Sequence, residues 1–225
     1  KSFSRLSKLK GSVSFHNVSF CYTEESDDIF SGLSFEAKQG DLVAVTGSNG
    51  AGKATILKLI KSLHRAKSGV VRIDGFDIRQ LDAPYLRRQI AYVPKTPHLF
   101  YGSIIENLRL ANPMADDKAI ENALELADFW EDIQAMPQGL DTVIGAHGNI
   151  KLTAGQAIRL SLARAYLHPA PVLLIDELPN TLLSSKAGKN LKDYLVKAKG
   201  KRTVIMCTYR DDFMKLADTI LWLRG

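Results

Sequence analysis

Gly47-Ser48-Asn49-Gly50-Ala51-Gly52-Lys53 is the stretch whose residue types and spacing most plainly suit chemistry. Glycines adopt backbone dihedrals, and permit a close approach, that a Cβ blocks. Such a loop turns backbone N–H groups toward phosphate oxygens, and a helix starting at Lys53 adds its positive end. Lys53 brings a point charge to the outer phosphates. In this pattern a Ser or Thr follows the lysine and sets its hydroxyl on Mg²⁺. Here that residue is Ala54. Thr55 comes next, but about 100° further round the helix, so it is poorly aimed to replace the missing hydroxyl.

A second acidic element completes the constellation. Asp176-Glu177 ends the apolar run Val172-Leu173-Leu174-Ile175. Beside a phosphate loop, an Asp at a strand end helps hold Mg²⁺ and a following Glu orients the attacking water. Alone the pair would read as the start of a turn. Together with the glycine loop it reads as the other half of one site.

The elements that must position these groups follow from periodicity. Val13, Phe15, Val18, Phe20 and Tyr22 read as a broken period-two strand, and Leu33, Phe35 and Ala37 as another, closed by the turn Gln39-Gly40. Leu42-Val43-Ala44-Val45-Thr46 is a strand buried on both faces that delivers the loop. Ile56, Leu57, Leu59 and Ile60 have helical spacing after it. Val70, Val71 and Ile73 predict a strand stopped at Asp74-Gly75. Residues from about Asp82 to Ala127 read as helices, interrupted by a short strand at Ile90–Val93 and a loop through Pro94 to Pro97. Asp116 is placed to cap the helix carrying Ile120, Ala123, Leu124 and Ala127. A helix is expected over about Ala154–Leu167, another over Leu191–Ala198, and strands at Val172–Ile175, Val204–Met206 and Ile220–Leu223. This layout is that of a three-layer α/β fold with a mostly parallel sheet.

Composition bounds the class. The 225 residues, 45% of them apolar, fit one large domain or a core with one inserted subdomain, and are enough to bury a core. No apolar stretch approaches the roughly 20 residues that span a bilayer, and the polar start does not read as a secretory signal. Cys21 and Cys207 are far apart and lack metal-type spacing, which predicts two reduced core thiols. Lys1, Arg5, Lys8 and Lys10 concentrate part of the net charge of +6 at the start. They read as a solvated linker, one that would suit an anionic membrane surface. No aromatic-basic interleaving points to nucleic acid.

Further motifs then bring a resemblance. Leu152-Thr153-Ala154-Gly155-Gln156 resembles the LSGGQ signature of the ABC transporter ATPases. It opens a helix and precedes the Asp176-Glu177 strand, as it does in that family. Ile90-Ala91-Tyr92-Val93-Pro94, Leu99 to Ile104, Glu106-Asn107 and Thr142-Val143-Ile144-Gly145 resemble the exporter-type members. Tyr22 matches the aromatic that stacks on adenine. The resemblance covers nearly the whole chain. It implies a P-loop NTPase core over residues 12–225, with a small antiparallel β subdomain at the start. A helical subdomain over about 83–157 is inserted in that core, and residues 1–11 lead from a transmembrane domain. It implies ATP as ligand, a second nucleotide-binding domain as partner in a homo- or heterodimer, and a place on the cytoplasmic face of a membrane. Tyr22, Gly47 to Thr55, Asp176 and Glu177 would form this chain's nucleotide face. The signature would serve the partner's nucleotide.

The departures from the family pattern bear on activity. Ala54 replaces the Mg²⁺-binding Ser, and Lys95 stands where the family has a Gln that touches Mg²⁺ and the attacking water. Tyr209 stands for the His that contacts the γ-phosphate, and Leu183 for the Asp that communicates across the dimer. Asp176 is then the one expected protein ligand left to Mg²⁺. Lys95 either replaces part of the metal's charge, pairs with Asp176 or Glu177, or points to solvent. The expectation is an ATP-binding domain with impaired or absent hydrolysis. Its alternatives are an active ATPase, with Glu177 as base, and a non-catalytic module assembled with an active partner domain.

Overall fold

The computed structural model describes residues 8–145 and 150–224. Of the basic residues at the start, Lys1 and Arg5 lie outside these, as do most of residues 1–11. In chain order the strands and helices are β1 (Val13–Phe20), β2 (Phe30–Ala37), β3 (Leu42–Gly47), α1 (Lys53–Ile60), β4 (Ser68–Ile73), β5 (Phe76–Asp77), α2 (Ala83–Arg88), β6 (Ile90–Val93), β7 (Gly102–Ser103) and α3 (Ile104–Ala111). They continue with α4 (Asp117–Leu126), α5 (Trp130–Gln134), β8 (Val143–Ile144), α6 (Ala154–Leu167), β9 (Val172–Ile175), α7 (Asn180–Leu183), α8 (Lys186–Ala198), β10 (Thr203–Cys207), α9 (Asp211–Met214) and β11 (Thr219–Leu223). No helix among the described residues is long and apolar enough to cross a membrane.

The chain divides into two compact units. The first comprises residues 1–91, 170–177 and 195–225. It holds a sheet in the order β11-β3-β10-β9-β6, in which β10 runs parallel to β3 and β9, and β11 parallel to β3. β3, β9 and β10 lie inside this sheet, and every residue from Leu42 to Thr46, Val172 to Ile175 and Thr203 to Cys207 is buried. That explains their continuous apolar runs, since neither face meets water. Asp218 fixes the start of β3 by accepting the Leu42 N–H at 2.8 Å.

The same unit holds an antiparallel sheet in the order β2-β1-β4-β5. The break in apolar alternation along β1 is a bulge. Register shifts fall between Phe15 and Val18 and again before Phe20, and Asn17 sits at φ 52°. The Asp74-Gly75 turn, with φ of 49° and 80°, joins β4 to β5. Its Asp74 carboxylate accepts the N–H groups of Lys10, Gly11 and Ser12, and the Ser12 hydroxyl. One side chain thus ties the segment entering β1 to the far end of the sheet.

The second unit comprises residues 92–169 and 178–194. α3, α4 and α6 of this unit begin on side-chain caps. Asp116 accepts the Ala119 N–H at 2.7 Å at the start of α4, as the sequence predicts. Ser103 and Glu106 form a reciprocal capping box at the start of α3. Apolar Ile120, Ala123 and Leu124 of α4 are buried, as are Ile158, Leu160 and Leu162 of α6. α8 starts at Lys186, five residues before the apolar spacing suggests. Gly188 obscures that first turn, and the reason for a glycine is steric: a Cβ there would stand 2.1 Å from the Leu183 carbonyl oxygen.

Candidate functional site

The glycine-rich loop leaves β3 at Gly47 and enters α1 at Lys53. Gly47, Gly50 and Gly52 all have positive φ, at 152°, 84° and 94°. At two of them space is also denied. A Cβ on Gly47 would lie 2.5 Å from the Leu223 carbonyl oxygen, and one on Gly52 would lie 2.6 Å from Ile29 Cγ2. Ser48, Asn49 and Gly50 are exposed at the tip, while Ala51 and Gly52 are buried behind it. Gly52 caps α1 without any side chain, and no acidic residue stands in the first turn. The first amides of α1 therefore have no acceptor within the helix and remain for an anionic ligand.

Lys53 is buried, and the loop itself houses its ammonium. Nζ donates to the Gly47 carbonyl at 2.6 Å and to the Ser48 carbonyl at 3.2 Å. Glu177 Oε2 stands 3.9 Å away. Asp176, also buried, accepts the Glu177 N–H on Oδ1 at 2.7 Å. The structure thus brings Lys53 and the Asp176-Glu177 pair into one cluster. Ala54 points its methyl to solvent. Thr55 is buried, and its hydroxyl bonds to Tyr22 Oη at 2.8 Å.

Two further groups lie close to this cluster. Burial at the end of α1 brings the Lys61 ammonium down to about 8, partly opposed by the charge of Asp176. Cys207 is buried at the end of β10, with Sγ 3.5 Å from the Lys53 carbonyl, and burial pushes its thiol well up. It is an inert floor residue. Both cysteines are free thiols, Cys207 buried and Cys21 half-buried. Tyr209 comes two residues after β10, past Thr208, whose N–H bonds to the Val45 carbonyl of β3. It is 50% exposed. Arg210 beside it is held by Asp212 through Nε at 2.9 Å and Nη2 at 2.8 Å.

In the second unit, the segment Leu152–Gln156 opens α6. Thr153 is its N-cap: its hydroxyl accepts the Gln156 N–H at 3.2 Å, and Gln156 Oε1 accepts the Thr153 N–H at 3.0 Å. Gln156 Nε2 donates to Asp132 Oδ1 at 3.1 Å. Ala154 and Gly155 are exposed. Their amides have no acceptor four residues back within the helix, so they are its outward-facing donors. The capping box was readable as T-x-x-Q. Asp132 carries no sequence signal, because it comes from α5. Lys95 is exposed in the loop after β6, and Leu183 is buried at the end of α7.

The donor set fits a triphosphate: an uncapped helix start, a glycine cradle and a buried lysine. To Mg²⁺ it offers the carboxylate of Asp176, with a methyl at the position of the expected hydroxyl. A parallel sheet that feeds such a loop into a helix, with an Asp-Glu pair at the end of β9, defines a P-loop nucleotide-binding domain. The family profile described as "ABC transporter" matches residues 30–180. The chain is 36% identical over 216 residues to Multidrug resistance protein 1 of Entamoeba histolytica, covering 94% of the chain and 16% of that protein. It is 33% identical over 214 residues to the ATP-dependent lipid A-core flippase of Chromohalobacter salexigens, covering 95% of the chain and 37% of that protein. A solved structure of a bacterial Atm1-family ABC exporter with ATP bound superposes with a TM-score of 0.87 at 32% identity, covering 97% of this chain and 39% of that one. The chain belongs to the ABC transporter family, as an exporter-type ATP-binding domain. It spans well under half the length of these relatives.

Proposed function

We propose that this chain serves as the ATP-binding domain of an exporter-type ABC membrane transporter, at the cytoplasmic face of the membrane, with hydrolysis impaired or absent. The observation that carries the reading is the solvent-facing methyl of Ala54, on the first turn of an uncapped α1 beside the buried Lys53. Binding groups are in place there, and a reaction group is not. When bound, Mg²⁺ supplies charge stabilisation to the transferred phosphoryl group. Asp176 is the residue that would hold it.

Phosphoryl transfer depends on positioning and on charge stabilisation, and removal of one such donor costs about 10²–10³ in rate. Ala54, Lys95 and Tyr209 each replace a side chain the family uses, and such losses are not additive. Glu177 remains to orient water, but its carboxylate faces the Lys53 ammonium. Tyr209 puts a phenol where the family has an imidazole, and a phenol does not replace an imidazole as a carrier of protons. The exposed Lys95 supplies a fixed cation in the loop after β6, and in this reading it stands in for part of the metal's charge.

Thr153, Ala154, Gly155 and Gln156 serve the nucleotide of a second nucleotide-binding domain, identical or different. ATP that binds the closed pair better than the open one shifts that equilibrium without being split. The helical subdomain over about 83–157 presents this signature. Steady-state turnover with and without Mg²⁺, with Glu177→Gln as control, tests the proposal. The expected result is ATP binding with turnover near that of the control. Robust turnover abolished by Glu177→Gln would establish the active-ATPase reading instead.

A further inference from the structure

Gln156 closes the capping box of α6 and also reaches beyond it. Its Oε1 accepts the Thr153 N–H at 3.0 Å, while its Nε2 donates to Asp132 Oδ1 at 3.1 Å. The two ends of a glutamine amide are alike in shape and opposite in hydrogen bonding: the oxygen accepts and the nitrogen donates. The Thr153 N–H and the Asp132 carboxylate therefore demand the same orientation of this amide, one from each end. Asp132 lies in the first turn of α5, 24 positions before Gln156, and both belong to the second unit. Both are half-buried. The contact also bears on the residue type at 156. A glutamate would serve the cap equally, and the positive end of α6 would favour it. Beside Asp132 it would set two carboxylates against each other at hydrogen-bond distance.

We propose that Asp132 is a positioning residue for association with a second nucleotide-binding domain: acting through Gln156, it locks the first turn of α6 before that domain arrives. This rests on the nucleotide-facing role given above to residues 153–156. Asp132 touches no nucleotide itself. With the amide of Gln156 held, the capping box stays closed, and the exposed Ala154 and Gly155 amides keep one direction. Donors fixed in advance need no ordering when a phosphate reaches them. Without Asp132 the amide is free to turn over, which would bring its nitrogen against the Thr153 N–H and loosen the turn. The charge of Asp132 acts in the opposite sense, since a carboxylate near this helix start repels a phosphate. Asparagine at 132 would keep the acceptor and drop the charge, so the two effects are separable.

The test reads ATP-dependent association by sedimentation, for the chain alone and mixed with an active exporter-type nucleotide-binding domain. ATP affinity of the chain by itself, set by the Lys53 loop, is measured alongside. Asp132→Ala should weaken association about 5- to 10-fold, part of the worth of a hydrogen bond to a charged group. Asp132→Asn should associate at least as tightly as the wild type. Gln156→Glu alone should weaken association at least as much as Asp132→Ala. Asp132→Asn combined with Gln156→Glu exchanges acid and amide at unchanged net charge, and should restore association. The chain's own ATP affinity should stay constant throughout. If Asp132→Ala fails to fold, Asp132→Asn and the exchanged pair carry the comparison. The inference falls if the exchanged pair is no better than Gln156→Glu, or if Asp132→Ala weakens the chain's own ATP binding as much as association. A wild type that associates with ATP, matched by Asp132→Ala, overturns this inference alone. One that binds ATP without associating overturns the nucleotide-facing role of residues 153–156 with it.

Discussion

Gly155→Ala separates what the chain needs for itself from what it presents to a partner. Gly155 is exposed in the first turn of α6, and a Cβ built on it meets nothing within 4 Å. Within the chain, alanine therefore fits, and as the better helix former it should add up to about 1 kcal/mol. For a domain of this size that is a rise in Tm of about 2–4 °C. The added methyl stands beside the amides of Ala154 and Gly155, the two outward donors left by the Thr153–Gln156 capping box. Hydrogen bonds to a charged group contribute about 1.5–3 kcal/mol each. Keeping a phosphate from two of them should weaken ATP-dependent association at least about 100-fold. Thermal melts give the first quantity, and sedimentation across a range of ATP concentrations, with the chain alone or with an active partner domain, gives the second. A Tm that falls by several degrees would show that the glycine is needed internally. Association unchanged by the methyl would refute a phosphate-facing role for this helix start.

The remaining predictions concern how the first unit holds together. Asp74→Ala removes the acceptor for three amides and a hydroxyl, and puts alanine at φ 49°. It should cost on the order of 2–4 kcal/mol in urea unfolding, with faster amide exchange at residues 10–12; a loss below about 0.5 kcal/mol would contradict the tie described. The Arg79 guanidinium bonded to Asp77 holds that carboxyl below its usual value. A depressed carboxyl pKa contributes stability above its unfolded value, near 4, and loses it as pH falls through the folded value. Urea midpoints of wild type and Asp77→Asn should therefore differ at pH 7 and converge below pH about 4. A gap that persists at pH 2 would mean that the carboxyl acts only as the neutral acceptor of the Arg79 N–H.

Much of this was legible because local patterns carried it. Leu42–Thr46, Val172–Ile175 and Val204–Met206 read as buried strands because both of their faces are covered, and all three are interior to the parallel sheet. The glycine loop was legible because positive φ leaves few residue choices. The break in β1 was visible as a pattern, and its cause, a bulge at Asn17, needed the paired strands. What stayed hidden is non-local. No periodicity places Tyr22 against Thr55, Asp132 against Gln156, or Asp74 against residues 10–12. Short elements such as β5, β7, β8 and α7, of two to four residues, are too brief to show a period. The family resemblance supplied roles for Lys95, Tyr209 and the signature that the geometry within each unit does not by itself assign.

ATP affinity and turnover, measured side by side with and without Mg²⁺, test the central claim most directly. The account predicts ATP binding that survives chelation of the metal, and turnover that Glu177→Gln does not lower. Binding that requires Mg²⁺, together with turnover that Glu177→Gln abolishes, would contradict it.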